Sequence, residues 1–475
     1  MFWMGLDGLG GRVRASSPKT EPFCSSLFAR ALIRLLPLFA PSSTHAHFAR
    51  PGAPFVALVE EGVAQGTVVF EHESDLAKVA RAVVRMGEKK LTVEGGGGLV
   101  DVVGEKGAKV YERLKKNQKK VWGRKIEQVA VCLAMGRVRY GKDVGADLFA
   151  VIDNDSKDIW KHFRMSRPNT CPVESVANLL TAATQANIAL ETLSGLLNDE
   201  DNAGWAIHNC IKYSRVDVVA RLALAMAVQP FENDVFFDVL SKSKVFDKIL
   251  DNHKDSKHYW GHSEELSVML LALAHGNQLK VNATNVDFLW SLVCDRGKKR
   301  PDSSQNSAHY LRCLGEFHFL SVASSVDLNR PCSLQVAMHA AFQREWHQDP
   351  SSFRLAWNYT TRRRVIDDRL GDALFEQGFA CHQPSGAHEY LGVAFADYER
   401  RVGIVYHDEK QYFERPNELA SEGEEKFLGG LARNKERLLQ GPGWNDIKYV
   451  SCFDWDRVKD DEEMRTQFVR DLISK

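Results

Sequence analysis

Four short segments place the strongest limit on how this chain can fold. They are Leu133-Ala-Met-Gly136, Leu180-Thr-Ala-Ala183, Leu224-Ala-Met-Ala227 and Leu273-Ala-His-Gly276, spaced 47, 44 and 49 residues apart. Each closes a run whose apolar residues recur at intervals of three and four, the period of a helix with one buried face. A polar turn and a second such run follow each one: Asp147 to Ile152, Ala189 to Leu193, Val235 to Leu240 and Val286 to Trp290. Small residues at the anchors let the two helices of a pair approach closely. A helix pair cannot bury its apolar stripe alone, so the spacing predicts stacked pairs, an irregular α-solenoid. Such a fold offers a long concave surface that suits an RNA strand and a protein partner equally, so it does not choose between them.

At 475 residues the chain exceeds the size at which one core keeps growing. Three segments are expected: a targeting segment over 1–50, helical repeats over 51–365 and a compact α/β module over 366–475. Polar, proline-bearing breaks at 299–307, 349–352 and 382–387 punctuate the text. Residues 308–342 read as one further helix pair, and 365–377 as a lead-in helix to the module. The first fifty residues carry Arg12, Arg14, Lys19, Arg30, Arg34 and Arg50 against only Asp7 and Glu21, with serines at 16, 17, 25, 26, 42 and 43. Arginine-rich, serine-rich and acid-poor is the pattern of an organellar transit peptide. The mitochondrial matrix is the expected destination, with a plastid as the alternative. No apolar run reaches the ~20 residues needed to span a bilayer.

Formal net charge is zero, so any attraction to nucleic acid must come from local patches. The densest is Arg113, Lys115, Lys116, Lys119, Lys120, Arg124 and Lys125, flanked by Tyr111 and Trp122. Basic groups release counterions from phosphates, and interleaved aromatics stack on bases. Nine cysteines contain no Cys-x-x-Cys pair, which predicts free thiols in a reducing compartment. Glu94-Gly-Gly-Gly-Gly98 lacks the Gly-Lys-Ser/Thr of a phosphate loop, and His253, His258 and His262 lack a standard metal spacing. No cofactor and no metal are expected.

The stretch 391–455 reads hairpin, helix, strand, closing helix. Its marks are the strand Val402 to Tyr406, the pair Tyr412-Phe413, Lys435-Glu-Arg-Leu-Leu439, the turn Gly443-Trp444 and Asp454-Trp455. In this order they resemble a RAP domain, the small C-terminal unit of organellar RNA-binding proteins that also ends the FAST kinase-like family. The resemblance covers about the last hundred residues. It implies a restriction-endonuclease-like fold, a helical array before it, and RNA as the partner, whether an organellar transcript or ribosomal RNA with mitoribosomal proteins alongside.

The chain departs from that family where chemistry would sit. The second strand of the family carries a glutamate, an aspartate and a glycine at positions occupied here by Val405, His407 and Asp408. The expected function is therefore non-catalytic RNA binding, with Arg400, Arg401, Arg433 and Lys435 as the basic edge of the module. Two alternatives stay open. One is a metal-dependent RNA endonuclease built from Asp397, Asp408 and Lys410, since two carboxylates and a lysine are what that chemistry needs. The other is a protein-only scaffold that binds peptide along the helices.

Overall fold

The computed structural model describes residues 146–165, 171, 173–254, 262–299, 308–328, 330–346, 368–384, 387–416, 426–440 and 443–474. Outside them lie the 1–50 segment, the basic cluster at 113–125, the first anchor at 133–136, the glycine run at 94–98 and the side chains of His253, His258 and His262. What is described is mostly helical, with a small sheet near the C-terminus. Residues from Phe149 to Lys475 form one compact unit. No described helix is long and apolar enough to cross a membrane.

The helical part runs α1 (Ala146–Asn154), α2 (Ser156–Met165), α3 (Val173–Gln185), α4 (Glu191–Leu197), α5 (Glu200–Lys212), α6 (Val216–Val228), α7 (Asp234–Lys242), α8 (Val245–Lys254), α9 (His262–His275), α10 (Ala283–Lys299), α11 (Ala308–Ala323) and α12 (Gln335–Trp346). Helices α3, α6, α9 and α11 lie side by side in that order. They begin at 173, 216, 262 and 308, that is 43, 46 and 46 residues apart. The anchors read from the sequence fall at the C-terminal ends of the first three. The fourth ends in Leu320-Ser-Val-Ala323, 47 residues after Leu273, an anchor whose valine hid it among more alanine-rich ones.

The four helices run parallel, because polar contacts between neighbours keep a nearly constant offset. Arg215 Nη1 donates to Glu174 Oε2 at 2.8 Å across 41 residues, and Gln229 Nε2 donates to Thr184 Oγ1 at 2.8 Å across 45. His275 and Glu316 meet at 3.1 Å, again across 41. The C-terminal ends are also alike. Asn187, Asn277 and Ser325 take left-handed φ values of 56°, 57° and 53° after α3, α9 and α11. The next amide then bonds back into the helix, as Ile188 N–H does to Ala183 O and Gln278 N–H to Leu273 O, both at 2.8 Å.

A parallel layer gathers helix dipoles at both ends. At the N-terminal end, Glu174 and Asp217 sit in the first turns of α3 and α6, bridged by Arg215 and Arg221. Glu265 in α9 completes the row. Burial, with the charge of Asp217 behind it, lifts its pKa to about 8 against the pull of Arg215 and Arg221. An unfolded glutamate ionises near 4.5, so the folded state keeps its proton longer and stability falls as pH rises from about 4.5 to about 8. Glu265→Gln is thus expected to melt higher than the wild type at pH 8, with the gap closing towards pH 4.5; parallel thermal melts at the two pH values check this.

The C-terminal module contains α13 (Asp368–Glu376), α14 (Ala387–Leu391), β1 (Val393–Asp397), β2 (Val402–His407), β3 (Tyr412–Phe413), β4 (Phe427–Leu428), α15 (Gly430–Leu439), β5 (Asp446–Ser451), α16 (Cys452–Val458) and α17 (Glu462–Ser474). The main sheet has the order β1-β2-β5, antiparallel then parallel, with α15 making the crossover. Hairpin, helix, strand and closing helix therefore stand as the sequence predicts. Ile404 and Tyr406 point into a core with Leu370, Leu374, Phe379, Val450 and Trp455. The other face of β2 is covered by α15, where His407 Nε2 meets Glu436 Oε1 at 3.3 Å. Val405 on that face is 1% exposed. An ionised glutamate there would need a buried partner, so valine suits the position this fold gives it.

The module rests on the C-terminal ends of the parallel helices. Carbonyls left over at those ends need donors. Asn434 Nδ2 donates to Ala274 O at 3.0 Å at the end of α9, and Arg433 Nη2 donates to Phe231 O at 3.3 Å just past α6. Residues 187–189 and Glu414 exchange backbone bonds: Ala189 N–H to Glu414 O at 2.9 Å and Glu414 N–H to Asn187 O at 3.0 Å. Further along, Tyr390 of α14 packs on Phe319 and Phe342, with ring centroids 4.6 and 5.2 Å away. Its hydroxyl donates to Glu316 Oε1 at 2.7 Å, and the Lys435 ammonium stands 3.9 Å above its ring. Helices and sheet thus share one buried polar seam.

Candidate nucleic-acid interface

Parallel pairing of β2 with β5 decides what meets at the edge of the module. Val402 pairs with Asp446, so the residues just before each strand are neighbours. One group is the β1–β2 turn, 398–401. The other is the loop 443–445. Asn445 N–H donates to Arg401 O at 2.7 Å and Asn445 Nδ2 to Arg400 O at 3.0 Å, which clamps turn to loop. Arg401 holds a φ of 55°, a left-handed conformation that costs a non-glycine residue roughly 1–2 kcal/mol.

Asp397 closes the turn from below. It is 2% exposed, and its Oδ1 accepts from Arg400 N–H at 3.0 Å while Oδ2 lies 3.5 Å from Arg400 Nε. Arg400, Arg401, Glu399 and Tyr398 all stand exposed around it. The Tyr398 ring, 49% exposed, stacks on Trp444 with centroids 6.0 Å apart and planes at 27°. His388 packs against the Trp444 ring at 4.8 Å and His382 against Tyr398 at 5.8 Å. Burial holds the pKa of His388 below the usual histidine value. The result is a rigid aromatic step with two arginines at its rim.

The other residues singled out from the sequence are placed differently. Arg433 and Lys435 do not form a solvent edge with Arg400 and Arg401. Lys435 is 5% exposed with its ammonium over the Tyr390 ring of α14, and Arg433 reaches the helical array at Phe231 O. The carbonyl ends of parallel helices draw donors just as phosphates do, and sequence alone does not separate these uses. Asp397 and Asp408 are not brought together either. Asp397 pairs with Val402 at one end of β2, and Asp408 follows His407 at the other, six residues on. At strand rise that is roughly 20 Å. Asp408 instead opens the short turn Glu409–Gln411, its N–H donating to Gln411 Oε1 at 3.1 Å, and Lys410 lies in that turn. Among the described residues, no three His, Cys, Asp or Glu side chains cluster as a metal site would need.

Tyr398, His382 and His388 were not legible as a site, and Trp444 reads from sequence as a packing residue. A signal existed: two turns, Asp397-Tyr-Glu-Arg-Arg401 and Gly441-Pro-Gly-Trp444, each put an aromatic ring beside a strand end. Comparison with protein-family models finds no match, and comparison with curated proteins finds none either.

Proposed function

We propose that this chain is a non-catalytic RNA-binding protein of an organelle, the mitochondrial matrix in the first instance. In this reading the helix pairs form an α-solenoid and the C-terminal module is RAP-like, with a restriction-endonuclease-like fold. The protein holds an organellar transcript or ribosomal RNA during processing, stabilisation or translation, alone or as a component of the mitoribosome. The observation that carries the reading is the clamped turn with exposed Arg400 and Arg401 beside an exposed ring. The basic cluster from Arg113 to Lys125 and the arginine-rich 1–50 segment support it. The separation of Asp397 from Asp408 counts against the endonuclease alternative.

Titration of the full chain with single-stranded RNA at several salt concentrations tests this. Binding should weaken steeply with salt. Each phosphate contact on a single strand contributes about 0.7 to the slope of log affinity against log salt, so reversing both Arg400 and Arg401 to Glu should lower it by about 1.4. Absence of RNA binding at low salt would overturn the reading and leave the protein-only scaffold.

A further inference from the structure

We infer that the step formed by Tyr398 and Trp444 is a stacking site for one unpaired nucleobase, with Arg400 and Arg401 taking the flanking phosphates. The inference rests on the RNA-binding reading and adds to it the contact residues and the strandedness of the ligand. Four observations carry it.

The first is exposure. Among the described residues Tyr398 is one of eight large hydrophobic side chains standing in solvent, at 49%, and its ring stacks on a second ring instead of against the core. A nucleobase approaching from outside extends that stack by one layer. The second is preorganisation. Both backbone bonds from Asn445, the buried Asp397 under the turn and the left-handed Arg401 fix the tip. Trp444 is in turn held against β2, where any side chain at Gly403 would put its Cβ 3.4 Å from the indole. A rigid platform loses little entropy when a base is added.

The third is charge. Arg400 is anchored at one side by Asp397, with its side chain 61% exposed, and Arg401 is exposed beside it. Glu399 and the buried Asp397 are the two acidic side chains of the turn. They balance the two arginines in formal charge, so the attraction is local to the two guanidinium groups at the rim, which suits a single nucleotide better than a long phosphate track. The fourth is reach. A base locked inside a duplex shows no face to an external ring, so the geometry selects single strands, loops or ends. Stacking is tolerant of base identity, because every base has a π face.

The test uses the full chain and single-stranded RNA of about 12 nucleotides carrying 4-thiouridine, with a duplex of the same sequence as control. Irradiation should give adducts on the peptides holding Tyr398 or Trp444 with the single strand and not with the duplex. Tyr398→Ala should weaken single-strand binding about tenfold. Tyr398→Phe, which keeps the ring, should restore it to within about twofold of wild type. If the chain binds RNA but adducts map elsewhere and Tyr398→Ala binds like wild type, the stacking site is wrong and the RNA-binding reading stands. If the chain binds no RNA at all, both fall together. The adduct map is read on the wild-type protein, so it decides the matter even where a variant folds poorly.

Discussion

Glu316→Ala is expected to unfold the seam between helices and sheet and to lower global stability by roughly 3–5 kcal/mol, the usual result of removing one partner from a buried charge cluster. Glu316 is 1% exposed. Its Oε1 accepts from the Tyr390 hydroxyl at 2.7 Å and faces His275 Nε2 at 3.1 Å, and its Oε2 lies 3.8 Å from Arg312 Nη2. With the tyrosine donating to a carboxylate oxygen that bears no proton, the histidine must also carry its proton on Nε2. Burial alone would push this carboxyl up. The hydrogen bond from His275, the charges of His275 and Arg312 and the tyrosine hydroxyl outweigh burial and hold its pKa at about 2.

The folded pKa lies below the unfolded value of about 4.5, so the stability Glu316 contributes is fully present above that value and is lost as pH falls towards 2. Denaturant titrations of wild type should show a steep decline over this window. In Glu316→Ala the decline should be shallower, from an already lower plateau. Glu316→Gln keeps the shape and one acceptor and should fall between the two. Equal plateaus for wild type and the alanine variant at pH 7 would show that the carboxylate merely balances its own burial and does not hold the seam.

How much of this was readable beforehand depends on the range over which each element is determined. The layer helices α3, α6 and α9 were legible because their anchors sit at helix C-terminal ends, two of them followed by a left-handed Asn187 or Asn277, but α5 and α8, which make the first two repeats triplets and not the expected pairs, were not. The α/β module was legible because a hairpin, a helix and a strand each announce themselves within a few residues. The seam was not. Lys435 and Arg433 look like surface cations on an amphipathic helix, and only Phe231 O beside Arg433 and the Tyr390 ring under Lys435, both distant in sequence, give them a buried use. The same limit applies to Asp397 and Asp408, where the residues are visible but the strand register decides whether two carboxylates meet. The stacked step at Tyr398 and Trp444 lies between these cases, since the parallel crossover that joins its halves follows from the order of elements.

Gly430 packs closely on the end of α6, and its substitution separates packing from local helix preference. A Cβ at Gly430 would collide with Ala227 O and lie 2.9 Å from Gln229 O, both backbone at the end of α6. Alanine is the better helix former by up to about 1 kcal/mol, though less at the first residue of a helix than within it. Overpacking against a well-packed partner typically costs 1–3 kcal/mol. The clash is with backbone and not with a flexible side chain, so the loss should win and the module should be pushed away from α6. Hydrogen exchange distinguishes that outcome from general unfolding. In Gly430→Ala the amides of Ala189 and Glu414, which bond across the seam at 2.9 and 3.0 Å, should lose protection, while the β1–β2 amides keep theirs. Unchanged protection at Ala189 and Glu414, with no drop in melting temperature, would mean that α6 yields at Gln229-Pro230 and that the seam tolerates the added methyl.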